Sequence, residues 1–384
     1  MAGLYVHIPF CVQKCVYCDF LSGTNLSIRE NFVDALIKEM DCYLDFFKED
    51  KIRTIYFGGG TPSLLTIYEL QRIYNAIVEK WDVSEVEEFT IECNPDDLSE
   101  KYLNDLRKLP INRLSVGVQS FSDNELHWLN RRHTVAQAID AIQRAKQAGF
   151  QNITIDLMFA LPVQTIESLN HSIDKALELN VQHISAYSLM FEPDSKITKL
   201  MELNCLEPLD ENIAADMFDL LSNRLIQAGY EQYEISNYAK PNFESRHNSG
   251  YWHQMRYLGL GPSAHSFDGE KRWSNIAHTI KYINLIKNDK TTNEHCIITK
   301  LRKEELLNIY EQYNELVFTA LRTKIGVDLV ELKNKFGDKQ YNKLLRQAQK
   351  YIDSGRMKIN DNHLSLTREG IYISDTIISD FMIV

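Results

Sequence analysis

Residues 5–20 read Tyr5-Val6-His7-Ile8-Pro9-Phe10-Cys11-Val12-Gln13-Lys14-Cys15-Val16-Tyr17-Cys18-Asp19-Phe20. The apolar run that opens this stretch predicts a strand, and three cysteines follow it at C-x3-C-x2-C spacing. Thiolates close together on a tight loop select zinc or iron–sulfur clusters over cations that prefer oxygen. Three thiolates on a four-iron cube leave one iron without a protein ligand. A small molecule can bind that iron through an amine and a carboxylate.

Two other interpretations of the cysteines compete with a cluster. A structural zinc site needs four ligands, usually in two closely spaced pairs. Besides His7, a fourth ligand would have to be a distant cysteine without ligand spacing: Cys42, Cys93, Cys205 or Cys296. A disulfide framework is disfavoured because seven cysteines in 384 residues are sparse and odd in number, which suits a reducing cytosol. Together with motifs further along the chain, the spacing favours an iron–sulfur cluster.

Composition excludes several classes of protein. With 44% hydrophobic and 25% charged residues, the chain is typical of a soluble protein large enough for one α/β domain and a smaller one. A net charge of −11 argues against nucleic-acid binding by the surface as a whole. No apolar run approaches the length of a membrane span, and the N-terminal residues do not form a signal peptide. We therefore expect a cytoplasmic protein.

Predicted strands and helices alternate along the first 230 or so residues. Helical periodicity separates the strands, and Thr66 with Glu69 and Thr134 with Gln137 form predicted capping boxes. The six predicted strands are Leu4–Ile8, Thr54–Phe57, Glu88–Glu92, Arg113–Val118, Ile153–Met158 and His183–Leu189. This order predicts an α/β fold with a parallel sheet curled into a partial (β/α)6 barrel.

Polar or glycine residues follow several of these strands. In such barrels the chemistry gathers at the C-terminal ends of the strands, so we expect these residues to face one mouth. They are Gly58-Gly59-Gly60-Thr61-Pro62, Glu92 and Asn94, Gln119 and Ser120, and Asp156. Glycines let backbone groups approach a ligand closely, although a plain strand-to-helix turn also explains the run. The polar side chains are equally consistent with surface or capping positions.

The cysteine triplet resembles the signature of the radical S-adenosylmethionine (radical SAM) superfamily. Further stretches resemble its oxygen-independent coproporphyrinogen oxidase-like family over most of the chain: Tyr5–Cys11, Gly58–Thr61, Glu92-Cys93-Asn94-Pro95, Arg113–Phe121 and Asp156-Leu157-Met158. One stretch departs from the family, which usually has Gly-Leu-Pro-Gly-Gln-Thr where this chain has Ala160-Leu161-Pro162-Val163-Gln164-Thr165.

The resemblance implies cofactors and their ligands. It implies a [4Fe-4S] cluster held by Cys11, Cys15 and Cys18. It also implies S-adenosylmethionine (SAM) bound by Tyr5, Tyr17, Gly59, Gly60, Thr61, Glu92, Gln119, Arg131 and Asp156. In this arrangement Glu92 is suited to pair with a cationic group and Arg131 with a carboxylate. No catalytic residue is assigned.

Two features divide the family. The oxidase has a further cysteine two residues after the triplet and a longer N-terminal arm, whereas this chain has Phe20 at that position and Tyr5 near its start. The cysteine motif ends in Cys18-Asp19-Phe20, and this ending instead resembles a branch of haem chaperones. A second motif, His247-Asn248-Ser249-Gly250-Tyr251-Trp252, matches the His-Asn-x-x-Tyr-Trp pattern of that branch.

The branch resemblance implies haem as a cofactor, with His247, Tyr251 and Trp252 as candidate haem-binding residues. An imidazole is a good axial ligand for haem iron, and flat aromatic rings suit a macrocycle. The residues alone also allow a hydrogen-bonded structural histidine at this position. Other candidate ligands are His7, His253 and His265.

We predict three segments: a radical SAM core over 1–235, a connecting segment over 236–300 with the motif over the barrel, and a C-terminal domain over 301–384. The Gly/Pro-rich stretch Arg256–His265 is expected to lie over the barrel mouth. A helical stripe (Leu306, Ile309, Tyr310, Tyr313 and Val317) opens the last segment. Met357–Ile359 and His363–Leu366 then predict a hairpin, and Thr367 a helix cap.

These helices and the hairpin resemble a winged-helix-like unit, which we interpret as a packing or partner-docking module. The tail Ile371–Val384 is expected to dock onto the body, with peripheral membrane contact as the alternative. The sequence leaves the oligomeric state open, a homodimer included.

Three hypotheses about function follow. The first is a haem chaperone that passes haem to apo-acceptor proteins. The second is a radical enzyme that cleaves SAM, either to decarboxylate coproporphyrinogen III oxidatively or to act on another substrate. The third, a zinc-stapled interaction protein, leaves the motifs after the cysteines unexplained.

Overall fold

The computed structural model describes residues 2–193, 195–288 and 300–383; Cys296 lies outside them. The strands are β1 (Ala2–Ile8), β2 (Ile52–Gly59), β3 (Glu88–Cys93), β4 (Arg113–Gln119), β5 (Asn152–Phe159), β6 (His183–Ser188), β7 (Glu231–Gln232), β8 (Asn237–Ala239), β9 (Arg256–Leu260), β10 (His265–Phe267), β11 (Lys271–Asn275), β12 (Arg302–Leu306), β13 (Val327–Asp328), β14 (Met357–Asn360) and β15 (His363–Leu366).

Helices separate the first strands and build the C-terminal part. They are α1 (Arg29–Met40), α2 (Ile67–Lys80), α3 (Glu100–Leu106), α4 (Asp123–Trp128), α5 (Val135–Gln147), α6 (Ile166–Glu178), α7 (Lys196–Glu202), α8 (Glu211–Gln227), α9 (Arg246–Trp252), α10 (Thr279–Asn288), α11 (Ile309–Leu321), α12 (Leu329–Asp353), α13 (Arg368–Ile371) and α14 (Ser374–Phe381). Within the described residues, no helix is both long and apolar enough to cross a membrane.

Six parallel strands, β1 to β6, form the centre of the structure and pair in sequence order. The partial (β/α)6 barrel predicted from the sequence is confirmed, since β1 to β6 begin and end within two residues of the predicted strands. One face of β1 presents Leu4, Val6 and Ile8, which are fully buried in the main apolar core. Because strand residues alternate between faces, Tyr5 and His7 lie on the opposite, inner face.

The helix starts follow the predicted capping chemistry. Thr66 and Thr134 accept hydrogen bonds from the backbone N–H groups of Glu69 and Gln137, whose side chains bond back to the caps. Each cap satisfies helix N–H groups that have no partner within the helix. These boxes fix where α2 begins after the glycine run and where α5 begins after α4.

The connecting segment extends the sheet at both edges. β9 runs parallel to β1 and continues into the antiparallel strands β10, β11 and β12, while β8 and β7 follow β6. The stretch Arg256–His265, expected over the barrel mouth, instead includes β9, which lies inside the sheet between β1 and β10. Its buried side chains Leu258 and Leu260 belong to the main core, which explains this position.

The C-terminal part has its own apolar core and a small three-stranded sheet of β13, β15 and β14. The predicted hairpin is present, with Asp361 and Asn362 at positive φ in its turn. Thr367 caps α13, as predicted. Tyr313 and Val317 of the predicted stripe are buried, whereas Leu306, Ile309 and Tyr310 are about half exposed or more.

The tail packs on this second core. Ile377, Ile378 and Phe381 of α14 are buried against the helices and strands of the C-terminal part. This placement agrees with the expectation that the tail docks onto the body of the protein. The boundaries of the three predicted segments remain predictions.

A buried carboxylate attaches the connecting segment to α1. Glu39 is fully buried and accepts hydrogen bonds from the Gly261 N–H (2.8 Å), the Asn275 Nδ2 (2.6 Å) and the Tyr282 hydroxyl (2.6 Å). Burial raises the pKa of Glu39 to about 7, against the lowering effect of these three donors. The three donors lie after β9, at the end of β11 and in α10, so one side chain joins these parts of the connecting segment to α1.

We predict that Glu39→Ala destabilises the protein by about 3 kcal/mol or more, because it leaves three buried donors without an acceptor and opens a cavity. The measurement is the free energy of unfolding in denaturant. Glu30→Ala, an exposed position on the same helix, is the control and should change it by less than about 1 kcal/mol. Equal effects of the two substitutions would contradict this role for Glu39.

Candidate functional site

The cysteine loop begins where β1 ends and is fixed at three points. The Cys11 N–H donates to the Gly23 carbonyl, and the Gly23 N–H donates to the Pro9 carbonyl, both at 3.0 Å. In the middle of the loop, the Val16 N–H donates to Leu129 (3.4 Å) and its carbonyl accepts from Ile197 (3.0 Å). Three separate segments of the barrel thus hold the backbone that carries the thiols.

Asn130 also holds the cysteine loop, although it was not among the predicted site residues. Its Nδ2 donates to the Lys14 carbonyl (2.9 Å), and its own carbonyl accepts from the Gln13 Nε2 (2.8 Å). Asn130 has φ +59°, a left-handed conformation that asparagine tolerates better than most residues. A single asparagine after a helix carries no signal specific enough to predict this contact.

Two of the three thiols receive hydrogen bonds from residues of the predicted SAM site. The Thr61 hydroxyl donates to Cys11 Sγ (3.4 Å) and the Arg131 guanidinium to Cys15 Sγ (3.3 Å). Such donors stabilise a thiolate, which is the form that binds metal. Burial raises the pKa of Cys18 to about 11, so a bound metal would displace its proton.

The donor set fits an iron–sulfur cluster better than a single ion. Among the described residues, no group of three or more His, Cys, Asp or Glu is arranged to hold one metal ion. In a cube each thiolate binds its own iron, so the sulfurs need not converge on one point. The half-buried cysteines of this loop, with donors aimed at two of them, meet that requirement.

The glycine run brings β2 against the end of β1. The Gly60 N–H donates to the Ile8 carbonyl (2.8 Å), and a Cβ on Gly60 would lie 2.6 Å from the Phe10 carbonyl oxygen. Gly59 has φ +107°, and its Cβ would lie 2.5 Å from the ring of His7. Only glycine fits both positions, so the run places backbone amides directly beside the cysteine loop.

Glu92 is held by two donors at the end of β3. It accepts hydrogen bonds from the Tyr56 hydroxyl (2.7 Å) and the Gly59 N–H (3.0 Å). Burial raises the pKa of Glu92 to about 7; the Tyr56 bond lowers it, and the charge of nearby Asp156 raises it again. Burial likewise raises the pKa of Asp156 to about 6, against a hydrogen bond with Ser185. Arg113 and Arg131 also lower the pKa of Asp156, but neither carboxyl forms an ion pair within the described residues, so this region is suited to a positively charged ligand.

Arg131 and Gln119 lie at the end of β4. Arg131 donates to the Asn94 Oδ1 (2.7 Å) and the Gly117 carbonyl (2.6 Å) in addition to Cys15. Gln119 is buried with φ +71°, at an irregularity in the pairing of β4 with β5. A non-glycine residue in this conformation stores strain, which is common at ligand sites.

Tyr5 and Tyr17 complete the predicted set. The Tyr5 hydroxyl is hydrogen-bonded to the Nδ1 of His7 (3.1 Å) on the inner face of β1. Tyr17 packs against a small apolar cluster under the mouth, which includes Leu129 and Ile197. Contacts to the cysteine loop or to Glu92 thus link most of the predicted cluster and SAM residues.

The departure from the family at residue 160 has a structural consequence. Ala160 has φ +59°, so an alanine occupies the left-handed conformation at the position where the family usually has glycine. Gln164, buried in the same loop, donates to Glu125 (3.0 Å) and to the Met158 carbonyl (3.3 Å). These bonds hold the turn despite the less favourable residue.

The candidate haem residues lie elsewhere. The start of α9 is attached to the first residue of β3, because Glu88 accepts hydrogen bonds from the Arg246 (2.9 Å) and His247 (3.0 Å) N–H groups. Glu88 opens the strand that Glu92 closes, so α9 begins at the end of the barrel opposite the mouth. No local pattern in the sequence predicts that Glu88 binds the start of α9.

His247 is buried, and both of its ring nitrogens are occupied. Its Nδ1 is hydrogen-bonded to Thr54 (2.8 Å) and its Nε2 to Tyr251 (2.8 Å). Burial lowers the pKa of His247 to about 3, so the ring is neutral. The Arg322 guanidinium lies over the ring of Trp252, with its Cζ 5.2 Å from the ring centroid. Haem binding by these residues stays a prediction, and ligation of haem iron by His247 would require one of its two hydrogen bonds to break.

Comparison with known proteins places the chain in a family. Residues 5–176 match the radical SAM superfamily, and residues 310–373 match the HemN C-terminal domain. The chain is similar to the haem chaperone HemW of Lactococcus lactis subsp. lactis strain IL1403, with 36% identity over 94% of each chain. HemW of Bacillus subtilis strain 168 is 34% identical over 100% of this chain and 99% of its own. This chain belongs to the HemW family of the radical SAM superfamily.

A solved structure is similar in fold. Coproporphyrinogen III oxidase (HemN) from Escherichia coli, a radical SAM enzyme, matches 99% of this chain and 89% of its own with a TM-score of 0.83. Its sequence identity is 21%, so the likeness supports the fold. Membership of the HemW family and the radical SAM superfamily implies a [4Fe-4S] cluster and SAM as cofactors. The family resemblance predicted from the cysteine loop is confirmed.

We predict that SAM affinity falls as the pH is lowered from about 7.5 to about 6. The Glu92 carboxylate can pair with the SAM ammonium, but below its pKa of about 7 the carboxyl must first lose a proton. The expected loss is up to about tenfold in the dissociation constant, measured by equilibrium dialysis of reconstituted protein. Glu92→Gln should bind more weakly and lose most of this pH dependence. The same pH profile in both proteins would remove Glu92 from the SAM site.

Proposed function

We propose that this chain is a cytoplasmic haem chaperone, which binds haem and transfers it to apo-acceptor proteins. The observation that carries this proposal is the match to HemW proteins over nearly the whole of both chains. On this proposal Cys11, Cys15 and Cys18 hold one [4Fe-4S] cluster, and SAM binds beside it at the barrel mouth.

The residues at the mouth have distinct tasks in this account. Arg131 and Thr61 stabilise the thiolates of Cys15 and Cys11, while Glu92, oriented by the Gly59 N–H, binds the amino group of SAM. When bound and reduced, the cluster supplies one electron, the chemistry by which radical SAM proteins cleave SAM. A chaperone can use the same site for SAM binding without that cleavage.

Exposed apolar side chains in the segments that meet at the cluster beside the cysteine loop support haem binding, and we take them as one apolar surface. The small cluster under the mouth contains Tyr17, Leu189 and Leu206. Close to these residues in the chain, three large apolar side chains point to solvent: Phe20 (62% exposed), Met190 (63%) and Leu203 (70%). A planar macrocycle buries its faces against such side chains, and Met190 adds a polarizable thioether.

The size and charges of this surface fit a small anionic molecule. The exposed area of the three side chains is roughly 300–400 Å², well under the about 800 Å² that each partner buries in a stable protein complex. Lys14, Lys196 and Lys199 are exposed in the same segments, and no ion pair within the described residues involves them. They are suited to the haem propionates, although Asp19 and Glu202 also lie in these segments.

The second candidate function, decarboxylation of coproporphyrinogen III, is less well supported. The likeness to the oxidase is one of fold at 21% identity, whereas the HemW relatives are 34–36% identical over 94% or more of each chain. The cysteine that follows the triplet in the oxidase is replaced by Phe20 in this chain. Both functions nevertheless share the cluster and the SAM site.

We predict saturable haem binding and transfer to an apo-haemoprotein, with no decarboxylated product when the same sample receives SAM, reductant and coproporphyrinogen III without oxygen. Leu203→Asp and Met190→Asp should each weaken haem binding about tenfold, because they place a charge on the apolar surface. Leu306→Asp is the matched control, since Leu306 on β12 is 69% exposed.

The outcomes distinguish the haem chaperone from the oxidase. Product formation would make the protein an oxidase and overturn the chaperone proposal. If haem binding is weakened equally in Leu306→Asp, or is unchanged in all three variants, the protein is still a haem chaperone. The apolar surface of Phe20, Met190 and Leu203 would then not be its haem site. A protein that neither binds haem nor forms product would contradict both functions.

A further inference from the structure

The His-Asn-x-x-Tyr-Trp motif contacts the SAM site through one aromatic ring. The ring of His247 is stacked on Tyr56 with a centroid distance of 5.0 Å and an interplanar angle of 26°. It is also stacked on Tyr5, at 6.4 Å and 29°. Both tyrosines lie on the inner face of the barrel, on adjacent strands paired Tyr5 to Tyr56. The motif histidine therefore packs under two aromatic residues of the barrel interior.

Tyr56 connects this contact to the carboxylate of Glu92 in the predicted SAM site. Its hydroxyl donates to one oxygen of Glu92 (2.7 Å), while the Gly59 N–H donates to the other (3.0 Å). Tyr56 is buried, so its ring position depends on the groups packed around it. A shift of that ring would move or remove one of the two bonds that orient Glu92.

His247 is itself fixed on several sides. Thr54 and Tyr251 hold the two ring nitrogens, and Glu88 holds the backbone at the start of α9. On β1, a Cβ added to Gly3 would lie 3.2 Å from His247 Cε1, so the strand packs closely against the ring. These contacts leave the imidazole little freedom in its position under Tyr56.

We propose that His247 is a positioning residue of the SAM site, which acts through Tyr56 to hold the Glu92 carboxylate in its binding orientation. The proposal rests on the proposed function only in taking Glu92 as the group that binds the SAM ammonium. It gives the motif a task at the SAM site, distinct from ligation of haem iron. The motif helix thereby connects the N-terminal end of the barrel to the site at its mouth.

The test is a double-mutant cycle on the anaerobically reconstituted protein, with the SAM dissociation constant as the readout. Tyr56→Phe keeps the ring and removes the hydroxyl bond, and His247→Ala removes the support beneath the ring. Each should weaken SAM binding about tenfold, the value of one lost hydrogen bond to a charged group. The double variant should also lose about tenfold and not about a hundredfold, because both changes break the same connection.

Controls separate this proposal from a general loss of structure. Iron content and thermal unfolding show whether each variant is folded and loaded. Should His247→Ala fail to fold, Tyr251→Phe takes its place in the cycle, because it removes one hydrogen bond of the imidazole and keeps the ring. His171→Ala, at an exposed histidine on α6, should leave SAM affinity unchanged.

Haem titration of the same variants tests whether His247 instead ligates haem iron. The proposal expects His247→Ala to keep wild-type haem affinity while SAM affinity falls. Unchanged SAM affinity, with or without loss of haem, would overturn it, and so would additive effects in the cycle. Absence of haem binding in the wild-type protein would contradict the proposed function and leave the SAM result interpretable.

Discussion

The contact between the Gly60 N–H and the Ile8 carbonyl is the constraint on which the candidate site depends. It lies at the end of the β1–β2 pairing, one residue beyond the paired Ile8 and Gly59, just before the cysteine loop begins. A side chain at Gly60 would collide with the backbone of Phe10, so this approach requires glycine. The same turn carries the Gly59 N–H to Glu92 and the Thr61 hydroxyl to Cys11. One backbone contact thus sets the relative position of the thiols and the SAM residues.

The electrostatics of the barrel interior are consistent with a cationic ligand. The pKa values of Glu92 and Asp156 are both raised by burial, and the charge of Asp156 raises the pKa of Glu92 further. Burial of two carboxyls without a bound cation costs stability, which proteins commonly accept at functional sites. Arg113 and Arg131 lower the pKa of Asp156, but the Arg131 guanidinium already donates to Cys15, Asn94 and Gly117. The positive charge that this region lacks is one that SAM carries.

Local signals in the sequence predicted much of this structure. The six barrel strands, the capping boxes of Thr66 and Thr134, and the Asn360-Asp361-Asn362 turn each depend on neighbouring residues, and all are present. The short strands β7 to β12 were not predicted; β9 pairs with β1 and β8 pairs with β6, partners that are distant in the sequence.

Buried charges and long-range contacts were the other omissions. Glu39 and Glu88 look like surface residues in a sequence, yet each is a buried acceptor for donors more than 150 residues away. The position of His247 depends on Thr54, at a separation of 193 residues. A motif match identified this histidine as important, but its packing under Tyr56 is visible only in the fold.

The central claim is that three cysteines hold a four-iron cluster whose open iron faces SAM. Mössbauer spectroscopy of protein reconstituted with iron-57, before and after addition of SAM, tests it most directly. The account predicts that one iron of the four changes its spectrum when SAM binds, while the three cysteine-ligated irons keep theirs. A spectrum that SAM leaves unchanged, or a protein that takes up zinc in place of iron, would contradict the account.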